Sequence, residues 1–205
     1  ANLIRPFQFF LPSKLRNMIR LMPVLFPKKQ LKEKEIYSIK SKKRIARVAL
    51  LTGCVQKVLS PQINEATIRL LNRHGVEVVV PKKIRCCGSL NHHLGKADLA
   101  HQDFINNINV WYDEYIKGNL DAILSNTSGC GTTLKDYGFI FRGNKELKNK
   151  AKKISELTKD VSEYLFENLK LNFKSKTKKI KIAYHSACSM QHGQKVHSQP
   201  IELLN

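Results

Sequence analysis

The spacing of the apolar positions changes several times along the chain, and each change predicts a different element. Short apolar runs at residues 47–51, 76–80, 121–125 and 180–184 are typical of buried parallel strands. Helical spacing, with apolar side chains three or four positions apart, marks residues 61–74, 97–116 and 147–171. Because strands alternate with helices, the pattern predicts an α/β fold with a parallel sheet and right-handed crossovers.

The same pattern divides the chain into three parts. Residues 1–45 form a predicted basic extension, in which residues 13–22 have the spacing of an amphipathic helix. Residues 46–173 hold one complete α/β repeat. The segment at 182–188, a strand followed by a turn and a cysteine, echoes the segment at 48–54. Residues 174–205 are therefore predicted to be a lysine-rich linker and the start of a second repeat.

The charge of the chain bears on what the extension contacts. The formal net charge is +20, and residues 1–44 carry twelve Lys and Arg against two Glu. Such an arm can bind an anionic membrane surface or nucleic acid, or it can reflect a lysine-rich composition without function. Aromatic residues do not interleave with the basic runs as a stacking platform requires, so we expect no nucleic-acid partner.

Two absences bear on the location of the protein. The sequence has no run of about 18 apolar residues, so no transmembrane helix is predicted. Prolines at positions 6, 12, 23 and 27 interrupt the start of the chain, and no signal peptide is predicted there. We expect a cytoplasmic protein, with peripheral contact to the inner face of the cell membrane as the alternative. The chain starts with Ala1, which indicates a piece of a longer protein.

The cysteines are the candidate functional residues. Each of the five follows a predicted strand: Cys54, Cys86, Cys87, Cys130 and Cys188. The carboxyl ends of parallel strands converge on one crevice, so several thiols are expected there together. An odd count, an adjacent pair and a cytosolic setting all disfavour disulfides. We predict thiolate ligation of a metal or cluster, with packing as small hydrophobic side chains as the alternative.

Histidines accompany the cysteines. His92 and His93 follow the Cys-Cys pair, and His185 and His192 bracket Cys188. A histidine can ligate iron or zinc, or donate an N–H group to a cluster sulfur. Ordinary polar side chains in a loop are the equally weighted alternative.

The cysteine spacing resembles that of a known domain. Cys54, then 31 residues, then Cys86-Cys-Gly88, then Cys130 resembles the cysteine-rich CCG domain. That domain occurs in heterodisulfide reductases, anaerobic glycerol-3-phosphate dehydrogenases, lactate-utilisation proteins and glycolate oxidase iron–sulfur subunits. The resemblance runs from about Arg47 to the end, and residues 50–56, 86–95 and 185–194 point to the last of these groups.

The resemblance implies a function and a set of ligands. It implies an iron–sulfur subunit of a glycolate-oxidising complex, relaying electrons from flavin-containing subunits toward a quinone and not catalytic alone. It further implies an iron–sulfur cluster, expected to be [4Fe–4S], with these ligands: Cys54, Cys86, Cys87 and Cys130, and Cys188 as a further metal ligand. No Gly-x-Gly-x-x-Gly follows a strand, so nothing indicates flavin or nucleotide binding by this chain itself.

Three features depart from the family pattern. Thr127 stands where many members have the first cysteine of a Cys-x-x-Cys pair that ends at Cys130. The second Cys-Cys-Gly motif and the ferredoxin-like cysteine repeats are absent from the sequence. Two alternatives therefore stay open: a lactate-utilisation or heterodisulfide-reductase-like subunit, and a structural module in which four thiolates hold Zn²⁺.

Overall fold

The computed structural model describes residues 5–21, 35–39, 43–169, 171 and 180–205. A 3₁₀-helix, Arg5–Phe10, and helix α1, Ser13–Leu21, lie in the predicted extension, which is therefore partly helical. Met22, most of the basic run after it, and most of the predicted lysine-rich linker fall outside the described residues.

One five-stranded sheet forms the centre of the domain. Its strands are β1 (Ile36–Tyr37), β2 (Ala46–Leu51), β3 (Val76–Val79), β4 (Ala122–Ser125) and β5 (Thr158–Asp160). The spatial order is β1-β3-β2-β4-β5. β2 to β5 pair in parallel, and β1 pairs antiparallel with β3 at the edge. This arrangement confirms the predicted α/β fold.

Helices follow each of the parallel strands in the chain. They are α2 (Gln56–Leu59), α3 (Pro61–Arg73), α4 (Ser89–His93), α5 (Ala97–Gly118), α6 (Ser128–Ile140), α7 (Lys148–Leu157), α8 (Val161–Asn168) and α9 (Gln199–Leu204). A π-helix, Ser189–Gly193, lies between α8 and α9 in the chain and packs on α6.

Both faces of the sheet are buried, which explains the continuous apolar runs of its strands. Alternate residues of β2 point to opposite faces, so Ala49 and Leu51 join one core while Val48 and Leu50 join the other. α5, α6 and α7 cover the first face, and Trp111 on α5 is fully buried there. α3 and α8 cover the second face.

The predicted strand at residues 180–184 is wrong. These residues form no regular secondary structure, and Ile180 and Ile182 are 77 and 60 % exposed. The fourth parallel strand is instead β5, which pairs with β4 through Thr158 beside Ile123. Its sequence, Thr-Lys-Asp, is short and polar, and it separates α7 from α8 within the region 147–171, for which one or two helices are predicted.

Candidate metal centre

Four of the five cysteines meet at the carboxyl end of the sheet. The Sγ atoms of Cys54 and Cys86 are 3.3 Å apart, and those of Cys87 and Cys130 are 3.1 Å apart. Because Cys86 and Cys87 are adjacent in the chain, the two pairs form one group of thiols. All are free thiols. We refer to Cys54, Cys86, Cys87 and Cys130 together as the thiol cluster.

Each member of the thiol cluster is held by a segment that leaves a parallel strand. Cys54 lies three residues after the end of β2, and the adjacent pair lies in the loop between β3 and α4. Cys130 lies within the first turn of α6. This turn follows β4 directly, so the thiol of Cys130 reaches the same end of the sheet.

Cys188 is not part of this group. It is exposed and precedes the π-helix, and within the described residues its thiol makes no contact with another cysteine sulfur. The expectation that it follows a strand is wrong, since residues 180–184 are not a strand.

The backbone of the Cys86–Gly88 turn is fixed by two buried side chains. The Asn107 side chain accepts a hydrogen bond from Arg85 N (2.8 Å) and donates one to the Cys86 carbonyl (2.8 Å). The Tyr137 hydroxyl donates to the Cys87 carbonyl at 3.0 Å. Both side chains are fully buried, on α5 and α6. The turn is therefore anchored to two helices that pack on the same face of the sheet.

A second polar network joins the loop of Cys54 to the turn of Cys130. The Gln56 amide donates to Asn64 Oδ1 (2.8 Å) and to Asn126 Oδ1 (2.6 Å). Asn64 in turn donates to the Thr52 carbonyl at 2.8 Å, and Thr127 Oγ1 donates to Gln56 Oε1 at 2.9 Å. Asn64 is fully buried. A satisfied buried network of this kind is rigid, so it fixes the spacing of the two loops.

The C-terminal segment packs against the turn that carries Cys130. Gln194 is buried, and its amide donates to the Ser128 carbonyl at 2.9 Å. A Cβ atom on Gly131 would lie 2.6 Å from that amide, so a larger residue at position 131 would force the Gln194 side chain to move. Residues near 194, which are far from Cys130 in the sequence, therefore restrict the position of the helix turn that carries Cys130.

The side chains that hold the thiols were not identified from the sequence. Asn64 and Thr67 lie on the buried face of α3, spaced as i and i+3 and continued by Ile68 and Leu71. Asn107 likewise lies between Phe104 and Ile108 on the buried face of α5. A polar residue at a core-facing helical position is the signal that could have found them.

The thiols alter one another's acidity. The Cys87 thiol donates to the sulfur of Cys130, which raises the pKa of Cys87 to about 12 and lowers the pKa of Cys130. The neighbouring Cys87 thiol, and then burial, raise the pKa of Cys86. Burial, followed by the contact with Cys86, raises the pKa of Cys54. In the metal-free protein three of the thiols are thus held protonated, and a bound metal must displace these protons.

The histidines stand apart from the sulfurs. His92 and His93 are exposed on α4, and the centres of their rings are 5.7 Å apart. Burial raises the pKa of Asp136, and positive charge on the two histidines would oppose this shift. His185 and His192 are exposed. In the part of the chain that the structure describes, no histidine nitrogen is hydrogen-bonded to a cysteine sulfur.

The donor set fits a sulfur-ligated cofactor. Four soft thiols without a neighbouring carboxylate ligand suit an iron–sulfur cluster, or zinc. Within the described ranges, no group of three or more Cys, His, Asp or Glu side chains is arranged to hold one metal ion. The thiol cluster is therefore two contacting pairs and not a ready-made tetrahedral site around a single ion.

The part of the sequence that contains the thiol cluster matches a known family of domains. Residues 48–135, which contain the whole thiol cluster, match the cysteine-rich domain called CCG. The chain therefore carries a CCG cysteine-rich domain. No solved structure matches the chain significantly.

Curated relatives extend the similarity beyond this domain. The chain is similar to the glycolate oxidase iron–sulfur subunit of Escherichia coli, with 33% identity over 98% of this chain and 46% of the relative. It is similar to an uncharacterised iron–sulfur protein of Methanocaldococcus jannaschii, with 34% identity over 83% of this chain and 30% of the relative. A probable glycolate oxidase iron–sulfur subunit of Bacillus subtilis is 27% identical over 95% of this chain and 43% of its own length. The chain thus spans less than half the length of these relatives.

None of the helices in the described residues is both long and apolar enough to cross a bilayer.

Proposed function

We propose that this chain is part of an iron–sulfur electron-transfer subunit of a glycolate-oxidising complex. The observation that carries the proposal is the convergence of Cys54, Cys86, Cys87 and Cys130 at one end of the sheet. The similarity to two glycolate oxidase iron–sulfur subunits supports the same role. In this proposal the chain receives electrons from flavin-containing subunits and passes them toward a quinone, and it has no catalytic role alone.

The thiol cluster is the proposed ligand set, and Cys188 is proposed to ligate only together with a second repeat. When bound, an iron–sulfur cluster, here proposed to be [4Fe–4S], supplies one-electron redox chemistry. The chain's own contribution is to position and enclose the sulfurs. Asn107 and Tyr137 use the carbonyls of Cys86 and Cys87 to fix the turn, and Phe104 packs beneath it.

The predicted domain organisation is part of the same proposal. Residues 46–173 are proposed as the first cysteine-rich repeat, after the basic extension at 1–45. Residues 174–205 are proposed as the linker and the start of a second repeat. Gln194 packs beside Gly131, so the C-terminal segment is in contact with the repeat that carries the thiol cluster.

A zinc module is the second candidate, because four thiolates also suit Zn²⁺. The similarity to curated iron–sulfur proteins favours the iron–sulfur cluster over zinc. An iron–sulfur cluster contains inorganic sulfide, whereas a zinc site held by four thiolates does not. Protein purified without oxygen is expected to contain iron and acid-labile sulfide, and stoichiometric zinc without sulfide would contradict the proposal.

A Cys→Ser series tests the ligand set. Cys54→Ser, Cys86→Ser, Cys87→Ser and Cys130→Ser are each expected to abolish the visible iron–sulfur absorbance, because serine removes the soft thiolate at nearly constant volume. The matched control is Cys188→Ser, which is expected to keep most of the absorbance, since Cys188 is exposed and outside the thiol cluster. Loss of absorbance in Cys188→Ser but not in Cys130→Ser would show that the grouping is wrong.

A further inference from the structure

A cavity of about 420 Å³ lies beside one half of the thiol cluster. It opens between the loop that follows β2 and the loop that follows β3, at the carboxyl ends of both strands. Ligands of open parallel sheets bind in this position, and small-molecule sites measure roughly 300–1,000 Å³. The cavity therefore has the position and the size of a site for a small organic molecule.

The cavity is lined differently on its inside and at its opening. Leu51, Val80 and Ile84 give it an apolar interior. Lys57, Lys82 and Arg85 also line it and are exposed to solvent, so their charges lie where the cavity meets water. No acidic residue is among the described residues that line it. This combination favours a molecule with an apolar body and a negatively charged group.

The cavity touches only one of the two thiol pairs. Cys54 and Cys86 line it, whereas Cys87 and Cys130, in the described part of the chain, do not. A molecule in the cavity would contact the outer pair while Cys87 stays buried behind it, so the cavity is distinct from the space among the four sulfurs.

We infer that this cavity binds a small organic anion, with a carboxylate or sulfonate held by Lys57, Lys82 and Arg85 and an apolar body against Leu51 and Val80. The inference goes beyond the proposed function, because binding requires the cavity and its cations but no cluster. It can therefore be tested on the metal-free chain, and its failure would leave the iron and sulfide analysis unaffected.

Thiol labelling gives the test a site-specific readout. The metal-free chain is treated with N-ethylmaleimide, a neutral reagent, with and without 8-anilinonaphthalene-1-sulfonate, and labelling of each cysteine is followed by mass spectrometry. The sulfonate is expected to slow labelling of Cys54 several-fold. Cys188 is equally exposed and lies outside the cavity, so its labelling rate is the internal control and is expected to stay constant.

The role of the cations is tested by substitution. The triple variant Lys57→Gln, Lys82→Gln, Arg85→Gln is expected to weaken binding of the sulfonate, measured by its fluorescence, by about tenfold or more, since each charged contact contributes appreciably. The matched control is Lys145→Gln, Lys148→Gln, Lys152→Gln, which removes the same charge from residues that do not line the cavity. Circular dichroism checks that both variants fold, and Arg85→Gln alone replaces the first triple if it does not.

A matched pair of ligands separates charge from shape. Benzoate is expected to displace the sulfonate at concentrations at which the neutral benzamide does not. Equal protection of Cys54 and Cys188, equal weakening by the two triple variants, or equal displacement by benzoate and benzamide would each overturn the inference, because binding would then be nonspecific.

Discussion

At the scale of single residues, the tightest packing around the thiols occurs at Gly88. This residue has a left-handed backbone with φ of 77°, and a Cβ atom built on it would lie 2.4 Å from Phe104 Cε1. Phe104 is fully buried and packs against Tyr137, the side chain that holds the Cys87 carbonyl. The glycine of the Cys-Cys-Gly motif is thus required by both its conformation and its neighbour.

Gly88→Ala is expected to destabilise the protein by about 2–5 kcal/mol, because the left-handed conformation costs about 1–2 kcal/mol and the forced overlap about 1–3 kcal/mol. Gly95 is the matched control: its φ is 74°, but no atom lies within 4 Å of its ideal Cβ. Gly95→Ala is therefore expected to cost only about 1–2 kcal/mol, the conformational part. Urea unfolding of both variants measures the difference, and equal losses would show that the contact with Phe104 is relieved easily.

The residues that the sequence could and could not predict differ in kind. Cys54, Cys86 and Cys130 stand next to strands whose apolar runs are plain, so their convergence follows from the rule for parallel sheets. Asn64 and Asn107 lie among apolar helix positions. In the sequence alone, where their hydrogen-bond partners cannot be seen, these polar residues only interrupt the apolar pattern. Their partners are backbone groups of distant loops, and only the folded chain brings them together.

At the scale of elements, β5 and α8 show why the fourth parallel strand escaped prediction. A three-residue strand with Lys at its centre has no periodicity to detect, and its position depends on pairing with β4. The end of β5 is easier to recognise in the sequence. Asp160 starts α8 as an N-cap, with Ser162 N donating to its carboxylate at 2.8 Å and Asp160 N donating to Glu163 at 3.0 Å.

Asp160→Ala is expected to cost about 0.5–2 kcal/mol of stability, since it removes the acceptor of this capping box. Burial also raises the pKa of Asp160, so its ionised form is disfavoured in the folded state. Asp160→Asn keeps the acceptor and removes the buried charge, and its loss is expected to be clearly smaller. Thermal unfolding of both variants tests this, and an equal loss for Asn and Ala would show that the charge, and not the cap, is required.

The N-terminal helices present an apolar surface together with basic side chains. Phe9, Phe10 and Met18 are exposed, and Lys14, Arg16 and Arg20 lie on α1. Such a segment can lie at the interface of an anionic bilayer. We expect the full chain to bind anionic vesicles at low salt and less at 0.1 M salt, where charges are screened within about 10 Å.

The triple variant Phe9→Ser, Phe10→Ser, Met18→Ser is expected to weaken vesicle binding by about tenfold or more, since each buried methylene contributes about 0.8 kcal/mol. The control triple Ile116→Ser, Phe139→Ser, Phe166→Ser removes side chains that are exposed elsewhere. Cosedimentation with vesicles measures both. Equal binding by the first triple and the unaltered chain would assign the segment to packing on its own protein.

At the scale of the whole molecule, ionisation of a buried tyrosine limits the stability of the fold at alkaline pH. Burial raises the pKa of Tyr164 to about 12 from an ordinary value of 10.0. Because the folded-state pKa is the higher one, the stabilising contribution is complete below about pH 10 and is lost as the pH rises through 12. The protonated phenol is the form that packs between α8 and the sheet.

Tyr164→Phe is therefore expected to lose less stability than the unaltered protein between pH 9 and pH 12, since phenylalanine has no proton to release. Urea unfolding at several pH values in this range measures the slope. Phe166→Leu, on the same helix α8, changes no titratable group, so it is the control and is expected to keep the original slope. Parallel pH dependences for Tyr164→Phe and the unaltered chain would contradict this account.

The position of the thiols after β2, β3 and β4 has a consequence for biosynthesis. Cys54 and Cys130 are far apart in the chain and meet only through the pairing of β2 with β4. Contacts of such long sequence separation form late, because loop closure must precede them. A ribosome-bound chain that ends before α6 has no Cys130 to offer. If Cys130 is a ligand, as proposed, binding of the cofactor can be completed only after this region has been synthesised.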